Sequence, residues 1–300
     1  MTLLHRSNEA NVAEAALRIG LIQGRDGVWR GRCPACGYSK PTLALKADCG
    51  ERIALSCKAC GSLAAIAACL DLPRHLVVPF RATRSTIAGA LNAWERAATA
   101  TGTPVEAYLR NRGIQLPVPP TIRYLRRQRN WSNGRDYAAM ISLVQRSPGK
   151  SDPGVGTDLL ATGAHFTFLE GGDGGDPVRK AAVDASKLSL GELRQGGIWL
   201  KPLAAIGAEL TVAEGIETAL SVAQITGLPT VAALSAAGMR SLWWPAQVRR
   251  LWIAADNDDV GLKAAEDLLR RALGEGLEGR IKIPAGGFND FNDMVRGSRR

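Results

Sequence analysis

Two stretches decide the fold: Val212-Ala-Glu-Gly-Ile-Glu-Thr-Ala-Leu220 and Ile253-Ala-Ala-Asp-Asn-Asp258. Each begins as a short apolar strand, Leu210–Ala213 and Arg250–Ala255, and each strand runs straight into carboxylates. Glu214-Gly215 follows the first and opens a helix over Ile216–Ile225. Asp256-Asn257-Asp258-Asp259 follows the second, with a helix over Leu262–Leu273. Carboxylates at the carboxyl ends of parallel strands lie where open α/β sheets place their sites. Gly215 is expected to permit the tight strand-to-helix turn. Asp256 and Asp258 alternate along extended chain, so both project to one side.

Working outward, Thr230–Leu234 and Arg280–Ile283 read as further short strands, and their alternation with helices predicts a mainly parallel sheet. After its last strand the chain carries Asp290-Phe-Asn-Asp293, a third acidic group. Glu214, Asp256, Asp258 and Asp293 together suit a hard divalent cation bound through oxygen. Magnesium fits best, because it keeps waters and takes few carboxylates plus substrate phosphates. Upstream, Thr121–Leu125, Ala138–Gln145, His165–Leu169 and Gly197–Leu200 read as strands. Ser147–Gly156 and Glu170–Pro177 read as loops. Helices are expected over residues 1–25, Ser62–Leu70, Thr86–Thr99 and Pro104–Arg112. Trp243-Trp244-Pro245 reads as a packing or partner surface.

Cys33-Pro-Ala-Cys36 and Cys57-Lys-Ala-Cys60 have the spacing of a four-thiolate zinc ribbon. A closed tetrahedral site of this kind is structural, and it holds a surface that would not fold alone. Gly37 and Gly61 follow the two pairs and let each knuckle turn. Cys49 is taken as a spare thiol, Cys69 as core, and His75 as outside the ligand set.

The chain has 300 residues, 46% of them hydrophobic, and a net charge of +10. That excludes a disordered tail and a disulfide mini-protein, and it points to an anionic partner, nucleic acid before membrane. The excess is local. Beyond residue 200 acids and bases balance at twelve each, whereas residues 26–61 carry six bases (Arg30, Arg32, Lys40, Lys46, Arg52 and Lys58) against three acids. Residues 110–135 carry seven arginines (Arg110, Arg112, Arg123, Arg126, Arg127, Arg129 and Arg135) and no acid, with Tyr124 and Trp131 among them. Charge mixed with aromatic faces suits single-stranded nucleic acid. No stretch approaches the roughly 20 apolar residues of a membrane span, and residues 1–11 lack the apolar core of a signal peptide. A cytoplasmic location is expected from paired cysteines that read as metal ligands.

The order Glu-Gly, then Asp-x-Asp, resembles the Toprim domain shared by bacterial-type primases, topoisomerases and some nucleases. The versions in phage- and plasmid-borne primases are similar. Tyr108-Leu-Arg-Asn-Arg-Gly-Ile114 resembles the motif that opens the polymerase region of bacterial primases, and Ser186-Lys-Leu-Ser-Leu-Gly191 their short lysine-centred motif. The ribbon precedes both, as in that family. There one zinc ligand is often His, while four cysteines stand here, and the Asp-x-Asn-Asp ending looks like the mobile-element branch. No Gly-x-x-x-x-Gly-Lys-Ser/Thr motor motif occurs.

The resemblance implies an α/β multidomain chain: a zinc-ribbon domain over 1–75, a mixed α+β primase subdomain over 76–203, and a Rossmann-like Toprim domain over 204–300. It implies a DNA primase making short RNA primers on single-stranded DNA from ribonucleoside triphosphates, with zinc in the ribbon and Mg²⁺ or Mn²⁺ at the carboxylates. A separate replicative helicase is the implied partner, and a phage, plasmid or integrated element the implied setting. Glu214 serves as general base or as third metal ligand, Lys187 contacts nucleotide phosphate or template, and Glu217 either supports Glu214 or lies on the helix surface. The alternatives are a Toprim-family Mg²⁺-dependent nuclease and a non-catalytic DNA-binding adaptor. A type IA topoisomerase does not fit, since the four tyrosines all lie upstream of the carboxylates.

Overall fold

The computed structural model describes residues 3–24, 27–38, 41–48, 51–80, 84–148, 158–172 and 175–297. Lys40 and Cys49 lie outside them. The chain divides into two compact units, residues 1–81 and 82–300.

In the first unit, helix α1 (Leu3–Arg18) precedes strands β1 (Ile22–Gln23), β2 (Trp29–Gly31), β3 (Leu43–Ala47) and β4 (Ile53–Cys57). Helix α2 (Leu63–Cys69) and strand β5 (Val77–Pro79) complete it. The sheet order is β1-β2-β3-β4-β5, antiparallel except for the parallel β4–β5 pair. The first helix is shorter than residues 1–25, because Gly20 turns at φ +70° and Ile22–Gln23 pairs with Trp29–Arg30 instead. Ser62 caps α2 by accepting from the Ala65 N–H. That helix buries Ile66, Ala67 and Leu70, which leaves Cys69 exposed rather than in the core, one position off the buried stripe.

The second unit opens with α3 (Arg84–Glu95), β6 (Ala98–Thr99) and α4 (Pro104–Asn111). The helix expected over Thr86–Thr99 therefore stops early, and Ala98–Thr99 pairs with Arg123–Tyr124. Next come the long antiparallel strands β7 (Ile122–Asn130), β8 (Arg135–Arg146) and β9 (Leu160–Glu170), then β10 (Arg179–Lys180), β11 (Lys187–Gly191) and β12 (Gly196–Trp199). The α/β portion runs β13 (Glu209–Ala213), α5 (Ile216–Thr226), β14 (Thr230–Ala232), α6 (Ala236–Ser241), β15 (Arg250–Ala254), α7 (Asp259–Gly274), β16 (Glu278–Lys282) and α8 (Phe291–Arg296). Strands β14, β13, β15 and β16 are adjacent in that order and parallel. Strand β12 bonds to β8 on one side and β14 on the other, so one sheet runs through the residue 203/204 position.

This order places the site. The chain leaves β13 through α5 in one direction and leaves β15 through α7 in the other. The apolar face of α5 packs with Ala213 and Ala254, and that of α7 with Val212 and Ile253. The two helices thus cover opposite faces, and the crevice between the carboxyl ends of β13 and β15 is a topological switch point.

Candidate active site

Ala213 pairs with Ala254, so the chain emerging from β13 presents Glu214 beside the chain that carries Asp256 out of β15. Gly215 begins α5 at φ −90°, a conformation any residue adopts, and a Cβ there would meet nothing closer than 3.5 Å. The turn therefore does not require glycine. Gly261 is different: a Cβ there would lie 2.7 Å from the Asp256 carbonyl oxygen, so only glycine lets α7 start under the acidic loop. Asp258 caps that helix, accepting from the Gly261 N–H at 2.7 Å. Asp290 caps α8 in the same way, accepting from the Asp293 N–H at 2.7 Å.

The carboxylates act on one another. Burial pushes the Asp256 carboxyl up to about 8, with Glu214, Asp290 and Asp258 adding to the rise and Lys187 opposing it. Burial and then Asp258 raise Glu214, against Lys187, Arg240 and the Ala236 N–H. Asp256 Oδ1 is buried without a hydrogen-bond partner. An orphaned oxygen among like charges is the chemistry of a cation site, and the donors are all oxygen, as magnesium or manganese requires. Asp256 and Asp258 would hold the ion, with Glu214 and Asp290 completing the negative field.

Beside the carboxylates stands a second cluster. Glu217, 5% exposed in its side chain, takes Lys180 Nζ at 3.1 Å and Lys187 Nζ at 3.2 Å. The Tyr108 hydroxyl donates to Glu217 Oε1 at 2.6 Å. Burial pushes Glu217 up, but the two ammoniums and the phenol outweigh it and hold the carboxyl well below its usual range. Lys180 was not legible in the sequence. It lies after a loop, outside the motifs, and only the pairing of β10 with β9 brings it in.

The Tyr-Leu-x-x-Arg-Gly stretch docks α4 on the helices of the carboxylate portion. Asn292 on α8 donates to the Arg112 carbonyl at 2.7 Å and to Ser221 Oγ on α5 at 2.9 Å. Gln224 on α5 donates to the Gly113 carbonyl and accepts from the Gln115 N–H.

The seven arginines do not form one track. Register puts Arg123 and Arg135 on the α3 face of the sheet, where Arg123 stacks on Trp94 at 4.3 Å. Trp131 is on that face too, edge-on to Phe166 and Phe168. Arg129 faces the other way with Tyr124, and Arg127 and Arg129 both reach Asp136. Arg126 is exposed beside the β7–β8 bulge. Arg110 pairs with Glu106, and Arg112 lies within the field of Lys180 and Lys187. Trp243 and Trp244 are half-buried under Arg146 and Arg271.

In the first unit the four sulfurs of Cys33, Cys36, Cys57 and Cys60 lie within 4.8 Å of one another, with Cys33–Cys60 and Cys36–Cys57 both at 3.9 Å. Tetrahedral zinc with bonds of about 2.3 Å needs sulfurs roughly 3.8 Å apart, so the set fits zinc. Gly37 and Gly61 both take positive φ, +62° and +64°, and donate back to Cys33 O and Cys57 O as each knuckle closes.

Residues 209–299 match the Toprim domain model, and residues 84–200 match a domain of unknown function, DUF7146. The C-terminal portion is a Toprim domain. Among solved structures the chain is similar to the Aquifex aeolicus primase zinc-binding and RNA polymerase domains, at 12% identity and TM-score 0.45, over 99% of this chain and 83% of that one. It is similar to a DnaG primase catalytic domain bound to single-stranded DNA (17%, TM-score 0.44, 72% and 78% covered). It is also similar to a Pseudomonas aeruginosa DNA primase domain (16%, TM-score 0.42, 71% and 74% covered). No curated protein is similar to this chain in sequence. No helix of the described residues is long and apolar enough to cross a membrane.

Proposed function

We propose that the protein is a DNA primase, joining ribonucleotides into short primers on single-stranded DNA. One observation carries the reading: Asp256 keeps a buried, unpartnered oxygen within a ring of carboxylates at the Toprim switch point, and Lys187 tempers that field from the next cluster. In the reaction a primer 3′-oxygen attacks the α-phosphorus of a nucleoside triphosphate, and pyrophosphate leaves. Glu214 accepts the hydroxyl proton, a role its raised affinity for protons supports. A divalent ion held by Asp256 and Asp258 supplies positive charge to the phosphate oxygens when bound. Arg112 and Arg129 hold the template through its phosphates, giving steep salt dependence and little base preference. The zinc ribbon adds a basic surface for the same strand, and a separate helicase delivers that strand.

The test is direct. The full chain is incubated with single-stranded DNA, Mg²⁺ or Mn²⁺ and labelled ribonucleotides. Template-dependent oligonucleotides that vanish in Asp256→Ala are expected. Cleaved DNA without synthesis would instead identify a nuclease, and tight DNA binding with neither activity an adaptor.

A further inference from the structure

Strands β15 and β16 carry two faces of different character. Leu251, Ile253 and Ile281 turn to α7 and its core. Arg250, Trp252 and Ala254 turn the other way, and the register sets Glu278, Arg280 and Lys282 beside them. On this side α5 covers the sheet, but of the two strands only Ala254 enters the core beneath that helix. Glu278, Arg280 and Lys282 are exposed and Trp252 is half-buried. The last two strands of the sheet thus keep an open face.

Charge on that face is graded along the strands. At the amino end Arg250 bridges Glu209 at 2.7 Å and Glu278 at 2.6 Å, so two acids outweigh it. One row on, Arg280 stands opposite Trp252, and the Lys282 ammonium lies 5.4 Å from the centre of that ring. Neither Arg280 nor Lys282 pairs with a carboxylate among the described residues. The indole buries its Nε1, so the part of it that meets solvent is carbon. Lys282 ends β16, and its carbonyl accepts from the Ala255 N–H, next to Asp256. The face therefore leads from an acidic end to the rim of the carboxylate crevice. An apolar ring between two unpaired cations on an open sheet suits a stacked base flanked by phosphates. An acidic protein surface would answer the cations alone, whereas every unpaired base also brings a π-face for the ring.

We propose that the open face of β15 and β16 binds single-stranded nucleic acid, with one base stacked on Trp252 and the adjoining phosphates on Arg280 and Lys282. The acidic row of Glu209 and Glu278 repels the strand from the amino ends, so it crosses the face on the side of Asp256. DNA and RNA share this chemistry. The surface is separate from Arg112 and Arg129 and does not depend on polymerisation, since a nuclease or an adaptor would hold a strand here equally.

Fluorescence anisotropy on the full chain, with Mg²⁺ and no nucleotides, tests this. The labelled probes are single-stranded DNA, RNA of the same sequence and the corresponding DNA duplex. Trp252→Ala should weaken the single strands about tenfold at an unchanged salt slope. It should leave the duplex, whose bases are already stacked, within about twofold. Trp252→Tyr should bring single-strand binding back to within about threefold of wild type. Arg280→Gln and Lys282→Gln should each flatten the salt dependence by about 0.7 of a unit of slope, the share of one phosphate on a single strand. A larger loss for DNA identifies the bound strand as DNA, a larger loss for RNA as RNA, and equal losses identify a strand held without regard to its sugar. If Trp252→Ala fails to fold, the two exposed cations decide alone. Wild-type salt slopes in both cation variants, or a Trp252→Ala loss as large for the duplex as for the single strands, would overturn the proposal.

Discussion

Between its ordinary 3.8 and about 8, Asp256 holds a proton in the folded chain that it gives up on unfolding. The folded state then binds more protons than the unfolded one, so this contribution to stability is complete below about pH 4 and is lost as pH rises through 8. Asp256→Asn removes the titration. Without metal, the variant should gain on the wild type as pH rises, by about 2 kcal/mol at pH 8.5 once solvent access to a half-buried carboxylate is allowed for. That is roughly 4–8 °C of melting temperature for a unit this size. Mg²⁺ should raise the wild-type melting temperature and leave the variant where it was. Parallel melting curves across pH would contradict the account. The sequence pointed to Asp256 because it ends an apolar strand. Glu217 was ambiguous there, since a Glu one helical turn after Glu214 looks the same whether it faces water or a lysine. Its partners lie 30 and 37 positions earlier in the chain, beyond any local pattern.

At the scale of elements, α4 is held by side chains rather than by a shared strand. Asn292 is fully buried and satisfies the Arg112 carbonyl, so Asn292→Ala strands that acceptor and should cost about 1–3 kcal/mol. Hydrogen exchange should show α4 and α8 opening sooner while β13 and β15 stay protected; uniform loss across the unit would mean the clamp is not local. Gly113, at φ +76° with a would-be Cβ 3.0 Å from Val295, belongs to the same clamp. The sequence located α4 to within a residue, because Thr103 caps it and Pro104 starts it. What it concealed was the facing of β7. Period-two alternation splits neighbouring arginines, and the bulge between Leu125 and Gln128 shifts the phase. A template on the α4 side should therefore depend on Arg129 and not on Arg135. Arg129→Ala should flatten the salt dependence of DNA binding by about one unit of slope, with Arg135→Ala near wild type. The reverse ranking would move the strand to the Trp131 face.

For the molecule as a whole, the net charge of +10 divides between two units built on different principles. Residues 82–300 bury extended clusters around a single eleven-stranded sheet, and their Toprim strands were readable because parallel strands are apolar runs. Among the described residues, 1–81 form a five-stranded sheet of short strands, two of them with two or three residues at one edge. A unit so small needs a staple, and Cys33 and Cys57, both buried at the ends of the knuckles, show where it is. Strand β4 ends at Cys57, and β3 pairs with it from Leu43 to Ala47. Losing the metal there should release both strands. A strong zinc chelator should therefore abolish hydrogen-exchange protection over β2, β3 and β4 while leaving β8 and β13 unchanged, and added zinc should restore it. One zinc per chain is expected by metal analysis, falling to none when Cys33 and Cys57 are both replaced by Ser. Retained protection in the chelated protein would mean that the core of α1, β3 and α2 suffices without the metal, and that the cysteines serve another purpose.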